Sequence, residues 1–492
     1  MLTVTFSGAA RTVTGSLYLL EYTDKDGSKF TFSVDAGLFQ VGQKVNLFKI
    51  NSRLIFDPKK LDAIVLTHAH LDHCGRIPYL VKEGFGGRIY STEATKDIAE
   101  VVMLDASKHI GEGEMADLTT NTGEISVESK DNSKNLFEAQ RLYTSLDVET
   151  TMTRFQTHEY HQKFRIHPNI QVEFFDAGHI LGSCTVLITE VSSGRQVVFS
   201  GDLGNPGKPI IQDPEMISKT DRLTHIFTET TYGNRVHPEH SPKERLKETI
   251  NNTIKSKGKV LIPSFSVERA QEVIYLIVEL MREGQIKNIP IYLDSPMASK
   301  VLTIALNYPE LYDKELQAKI KSQTNPLRYK HLQVMDSVAE SKTINQFKGS
   351  CIIIAGSGMM TGGRILKHLQ FYLDHPENTV IVVGYQAEGT LGRQIVDGVP
   401  EVEVEGKMIA VKAKLEIINE FSAHADSKML KKWIGQMVSE KPDVDQYPVT
   451  VFLTHGEKNA STEFGKELEH SLGKKVTTHW PRFGEKVTMW PK

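Results

Sequence analysis

Within the run Thr67-His68-Ala69-His70-Leu71-Asp72-His73, three imidazoles and a carboxylate crowd together directly after the apolar segment Leu61–Leu66. Such density points to metal-ligand chemistry. Imidazole nitrogen and carboxylate oxygen suit zinc, and an alternating His-x-His lets two rings leave an extended backbone on the same side, while the Asp-His pair can turn towards a second ion. Further polar residues stand at or just beyond the ends of apolar, β-branched segments: Asp35 after Phe30–Val34, His179 after Val172–Phe175, Asp202 after Val197–Phe199, Glu229 after His225–Thr228, and His455 after Val449–Thr454. Strands of an α/β protein converge their carboxyl ends on one edge, where such proteins place ligands. Each residue alone reads as a turn or cap residue. Their shared placement is what directs them to one cleft.

The elements that must hold these residues follow from periodicity. Up to about Tyr232, short β-branched runs alternate with turns, so strands are expected at Leu17–Tyr22, Phe30–Val34, Ala63–Leu66, Arg88–Tyr90, Val172–Phe175, Val186–Thr189 and Val197–Phe199. An insertion over Asp105–Arg165 is expected to carry helices at its ends and an irregular, mobile middle over Thr119–Lys134. His158 and His161 within it read as solvated helix residues and not as ligands. From about Gly233 the pattern changes to strand–helix units: a strand at Lys259–Ser266, a helix at Val267–Arg282, and apolar runs at Ile289–Leu293, Cys351–Ala355 and Val380–Val383 of the kind buried in parallel sheets. This reads as a separate α/β domain inserted into the first, to which the Val449–Thr454 strand returns the chain.

A length of 492 residues, 39% hydrophobic and 24% charged, allows two or three domains with large cores. The three scattered cysteines, Cys74, Cys184 and Cys351, exclude a disulfide framework and point to a reducing cytoplasm. Cys74 reads as a small packed side chain, since the nitrogen and oxygen ligand set is complete without it. The N-terminus reads as a strand and not as a signal peptide, and Val273–Met281, the most apolar helical stretch, is too short for a bilayer. A net charge of −3 and a pI of about 6.7 argue against a generic polyanion binder, so any nucleic-acid contact must be local to a cleft.

His68-Ala69-His70-Leu71-Asp72-His73, with Asp35, His179 and Asp202 in order, resembles the signature of the metallo-β-lactamase fold. Thr228–Arg235, Phe421–Asp426 and Thr454–Glu457 resemble the three extra motifs of the β-CASP nucleases, and Ile262–Ser266, Asp294–Ala298, Gly356–Arg364 and Gly384–Arg393 agree with them. The likeness is nearest to the bacterial and archaeal RNA-processing branch, relatives of the pre-mRNA cleavage and polyadenylation endonuclease. It implies an αββα sandwich (residues 1–233 and 420–492) with an inserted α/β β-CASP domain (234–419). It also implies two zinc ions, one on His68, His70 and His179, the other on Asp72, His73 and His455, with Asp202 bridging. Asp35 would fix a ligand's tautomer, and His424, held by Glu229, would protonate the leaving group. The glycine-rich Gly356–Arg364 loop offers backbone N–H groups and a guanidinium to a phosphate. Substrate phosphate contacts are expected from Ser357, Arg364, Thr390, Arg393 and Ser422. One departure stands out: the family usually has glycine where this chain has Glu268.

The expected activity is zinc-dependent hydrolysis of phosphodiester bonds in single-stranded RNA, internal and with exonuclease action open. A homodimer is expected from relatives, with no membrane association. With some 37 residues after His455 and a strand at the start, appended RNA-binding domains are not expected. The alternatives are a β-CASP DNA nuclease, a small-molecule hydrolase of the same fold, and an inactive scaffold subunit. DNA-directed relatives typically carry valine at the place of His455. The inserted domain would be needless for a small substrate, and all expected ligands are present.

Overall fold

The computed structural model describes residues 1–40, 47–109, 141–218, 220–237 and 241–491. The chain divides into two compact units, one of Met1–Pro206, Asp213–Val236 and His424–Lys492, the other of Gly207–Gln212 and His237–Ala423. Where 234–419 was expected, the inserted unit runs over His237–Ala423, and it also takes in Gly207–Gln212. There the Ile210 N–H donates to the Asp313 carboxylate, and the Asp313 N–H donates back to the Ile210 carbonyl, each at 2.8 Å.

The first unit holds two seven-stranded sheets. One orders its strands Lys486–Trp490, Leu2–Phe6, Tyr18–Thr23, Lys29–Val34, Ala63–Val65, Arg88–Ser91 and Phe155–Thr157. The other orders Val476–His479, Val449–Thr454, Leu223–Glu229, Gln196–Phe199, Cys184–Glu190, Ile170–Asp176 and Phe164–His167. Period-two alternation explains how they stack: Phe227 points to the buried layer between the sheets, while Ile226 points to the other face and packs against Trp433, Ile434 and Met437 of the Ser427–Ser439 helix. Between the sheets Phe6, Tyr18, Phe199 and Phe452 surround Phe227, with Phe199 stacked on it at 4.1 Å. Helices Glu93–His109 and Ser145–Met152 form at the ends of the expected insertion, whose anticipated irregular middle lies outside the described residues. His158 and His161 depart from expectation. They sit in the connection between the Phe155–Thr157 and Phe164–His167 strands, where His158 stacks on Phe164 at 3.7 Å.

The inserted unit is built on a six-stranded sheet ordered Leu332–Val334, Ile291–Asp294, Ile352–Ala355, Val260–Pro263, Thr379–Val382 and Lys414–Ile417, all parallel. Its central strands are buried along their whole length, which is why they read as continuous apolar runs. The Arg269–Arg282 helix is almost wholly buried against them. Glu268, which precedes it, sits at φ 64°, ψ −49° in a γ-turn closed by the Arg269 N–H on the Val267 carbonyl at 2.8 Å, a strained backbone that costs an L side chain about 1–3 kcal/mol and that glycine enters more readily. That accounts for the glycine usual at this place. No helix among the described residues is long and apolar enough to cross a membrane.

The three tryptophans, Trp433, Trp480 and Trp490, all belong to the first unit, so their fluorescence reports on it. Phe227→Ala should lower its resistance to urea by about 3–5 kcal/mol, with Phe227→Leu losing less. Unchanged tryptophan unfolding midpoints would show that the intersheet layer does not hold this unit together.

Candidate active site

Strand direction does the first part of the assembly. Gln196–Phe199, Leu223–Glu229 and Val449–Thr454 run parallel, so Asp202, Glu229 and His455 emerge at one edge. Ile170–Asp176, separated from Gln196–Phe199 by one antiparallel strand, delivers His179 to the same edge. In the facing sheet Lys29–Val34 and Ala63–Val65 are likewise parallel and end at Asp35 and at the Thr67–His73 run. Asp35 and His455 both take positive φ, 60° and 46°, turning the chain sharply where the strand stops. Such backbone is tolerated when surrounding bonds over-determine it, here Asp35 N–H to Val65 O and His455 N–H to Ala9 O, both 2.9 Å.

The ligand-type atoms fall into two groups. His68 Nε2 and His179 Nε2 each lie 3.1 Å from His70 Nδ1, and Asp202 Oδ2 lies 3.5 Å from His68 Nε2 and 3.6 Å from His179 Nε2. Four ligands at zinc bond lengths of about 2.0–2.2 Å occupy tetrahedron corners about 3.3–3.6 Å apart, so this set fits the ion. In the second group His73 Nε2 lies 3.3 Å from Asp202 Oδ1, and His455 Nε2 lies 3.2 Å from Asp72 Oδ2. Asp202 thus turns one oxygen to each group. Its Oδ1 is buried without a hydrogen-bond partner, an orphaned acceptor of the kind that a cation satisfies.

Protonation matches in the first group, whereas in the second burial is outweighed by Asp202, with Asp35 beside His73 and Asp72 beside His455, and both imidazoles are lifted above their ordinary value, so that a cation there must displace their protons. Burial, aided by the neighbouring imidazoles, pushes His68 down to about 4 and His70 down to about 3, and holds His179 well below its ordinary value, so all three keep a lone pair at neutral pH. Burial opposes the charge on Asp202, yet His455, His73 and His68 outweigh it and hold the carboxylate well below its usual range. The Thr67 hydroxyl donates to Asp35 Oδ2 at 2.9 Å and so accepts from His68 Nδ1 at 3.0 Å, which leaves His68 Nε2 bare. Asp35 also receives His73 Nδ1–H at 2.7 Å, directing His73 Nε2 inwards. Thr231 does the same for His455: its hydroxyl donates to the His455 carbonyl and faces Nδ1 at 3.1 Å. Sequence reasoning assigned this positioning to Asp35 alone; the signal for Thr67 and Thr231 was their adjacency to the ligand motifs.

Beside these groups, Glu229 accepts the Leu203 N–H and presents both oxygens to His424 Nδ1, at 3.2 and 3.1 Å. Burial disfavours charge on His424, but the Glu229 carboxylate overrides it and lifts its pKa to about 9. Asp426 caps the Ser427–Ser439 helix and so anchors the segment that carries His424, whose side chain remains 22% exposed. Cys74 stays out of the ligand groups, its buried thiol donating to the Ala69 carbonyl.

The five residues expected at substrate phosphate lie in the inserted unit. Arg364 is already engaged there: it donates to Asp294 and to the Met335 and Asp336 carbonyls at 2.7–2.9 Å, which gives it a structural duty that the sequence did not disclose. Arg393 pairs with Asp397 one helical turn on. Thr390 caps the Leu391–Val396 helix, Ser357 Oγ accepts the Thr361 N–H, and Ser422 Oγ is buried without a hydrogen-bond partner among the described residues.

Family models match three stretches of the chain: the metallo-beta-lactamase superfamily over residues 16–150, the Beta-Casp domain over 270–395, and the Zn-dependent metallo-hydrolase RNA specificity domain over 408–479. Ribonuclease TTHA0252 of Thermus thermophilus is 35% identical over 481 residues, covering 98% of each chain. An RNase J-like protein of Methanocaldococcus jannaschii is 30% identical, over 86% of this chain and 88% of that one. Transcription termination factor FttA of Methanosarcina mazei is 30% identical over 85% of this chain, which spans 62% of that longer protein. A crystal structure of a protein of unknown function from Enterococcus faecalis V583 shares the fold, with a TM-score of 0.52 at 12% identity over 99% of both chains. The likeness runs from end to end, and it joins a hydrolase metal centre to the inserted Beta-Casp domain: the chain belongs to the β-CASP RNA nucleases of the metallo-β-lactamase superfamily, as a metal-dependent hydrolase.

Proposed function

We propose that the protein is a two-zinc ribonuclease that cuts single-stranded RNA internally, in the cytoplasm. The observation that carries this reading is Asp202, whose two oxygens face two separate ligand groups while the His424–Glu229 pair stands beside them. Zinc in these groups would acidify an attacking water and neutralise the charge that builds on the phosphate oxygens. The chain's own residues do the rest. Glu229 accepts Nδ1–H of His424 and orients its ring, leaving Nε2–H to pass a proton to the departing 3′-oxygen. Asp35, Thr67 and Thr231 hold three imidazoles in the tautomer that keeps their inward nitrogens bare. Three buried free thiols suit a reducing compartment. The relative from Thermus thermophilus, named a ribonuclease, supports RNA as the polymer.

Elemental analysis should find about two zinc ions per chain. Asp35→Asn should weaken zinc binding by roughly 10–100-fold, since it unties His73 directly and loosens His68 through Thr67. A single tightly held ion with full activity would remove the two-metal reading.

His424→Ala should keep both ions yet cleave roughly 10²–10⁴-fold more slowly. An RNA with a better leaving group at the scissile 3′-position should rescue the variant more than the native enzyme; equal rescue would assign His424 another role.

The reading as a whole is tested by the products. Single-stranded RNA should be cut in preference to DNA of the same sequence, leaving a 5′-phosphate and a free 3′-hydroxyl. A 2′,3′-cyclic phosphate, or equal cutting of the DNA, is the outcome that overturns it.

A further inference from the structure

The carboxyl edge of the inserted sheet has a switch point. From Val260–Pro263 the chain crosses by the Arg269–Arg282 helix to Ile291–Asp294 on one side, whereas from the adjacent Thr379–Val382 it proceeds to Lys414–Ile417 on the other. Loops that leave neighbouring strands in opposite directions open a crevice between them, and planar ligands such as nucleotides bind there in α/β sheets. The two loops in question carry Phe265 and Gly384-Tyr385. Both aromatic rings are exposed, Phe265 by 40% and Tyr385 by 58%.

Phe265 is not a stray surface ring. Its Cδ2–Cε2 edge sits in a notch of two glycines: a Cβ added at Gly358 would lie 2.8 Å from Cδ2, and one at Gly384 would lie 3.1 Å from Cε2. A side chain at Gly358 would collide with the ring, and one at Gly384 would press on it. The buried Gln386 locks the notch, its Nε2 donating to the Gly358 carbonyl at 2.9 Å and the Gly384 carbonyl at 3.0 Å. A half-exposed aromatic ring fixed on edge by backbone is what a flat heteroaromatic ring needs, a rigid apolar face to stack on.

We propose that Phe265 is a nucleobase-stacking residue, which with Tyr385 forms a subsite of the inserted unit for an unpaired base of the RNA. This rests on the RNA-cutting reading above. Duplexed bases are already stacked on both faces, so the subsite accounts for a preference for single strands without reading sequence.

The test uses the zinc-loaded full chain and a set of short single-stranded RNAs, each lacking the base at one position. In the native enzyme one abasic position should raise KM by roughly 5–150-fold, the range expected for loss of one stacked base, with the others near neutral. Phe265→Leu keeps the apolar bulk but not the flat face. It should raise KM for the intact RNA by a similar factor and make the sensitive abasic position cost nothing further, while Phe265→Trp should restore both. A flat abasic profile in the native enzyme, or a sensitive position that persists in Phe265→Leu, overturns the subsite although RNA is still cut. Failure to cut any of these RNAs would instead remove the ribonuclease reading, and the subsite with it.

Discussion

Everything at the catalytic edge depends on one buried carboxylate. Asp202 is removed from water, yet it stays ionised because the imidazoles of His455, His73 and His68 surround it. An isolated carboxylate there would protonate, and a single counter-charge would leave one oxygen unsatisfied. Facing two ligand groups at once solves both problems, provided that each group receives a cation. Three neutral imidazoles, His68, His70 and His179, meet there at hydrogen-bond distance, the approach that a shared cation rewards. The cluster therefore makes chemical sense as a metal centre and poor sense as a hydrogen-bond network.

Such an arrangement requires a rigid frame, since an error of an ångström would spoil the tetrahedral spacing. The two stacked sheets provide it by burying the ring cluster of Phe6, Tyr18, Phe199, Phe227 and Phe452 directly beneath the ends of the strands that carry the ligands. Left-handed backbone at Asp35 and His455 then aims each side chain. Hydrogen bonds from Asp35, Thr67 and Thr231 reach the outer ring nitrogens of His73, His68 and His455. The carboxylate of Glu229 does likewise for His424.

The inserted unit follows different physics. Its parallel sheet is covered on both faces, so its strands carry no polar side to display, and its chemistry collects at loops beyond the strand ends. There the chain uses backbone in place of charge: glycines let an aromatic ring stand close against the main chain, and Arg364, the most obvious cation of the region, is consumed in tying Asp294 to neighbouring carbonyls.

Much of this was legible in the residues themselves. The density of His and Asp between His68 and His73 is a local property, and the position of Asp202, Glu229 and His455 just past apolar runs follows from hydrogen-bonded strand periodicity, which is also local. Parallel buried strands announce themselves as unbroken apolar runs for the same reason. What only the tertiary structure decided are the pairings: that Asp202 splits its oxygens between two groups, that Thr67 and Thr231 set tautomers, that Arg364 turns to Asp294, that His158 leaves the expected helix to stack on Phe164, and that Gly358 and Gly384 close on Phe265. Those choices join residues far apart in the chain and depend on packing geometry at the scale of a single side chain, to which neither spacing nor composition is sensitive.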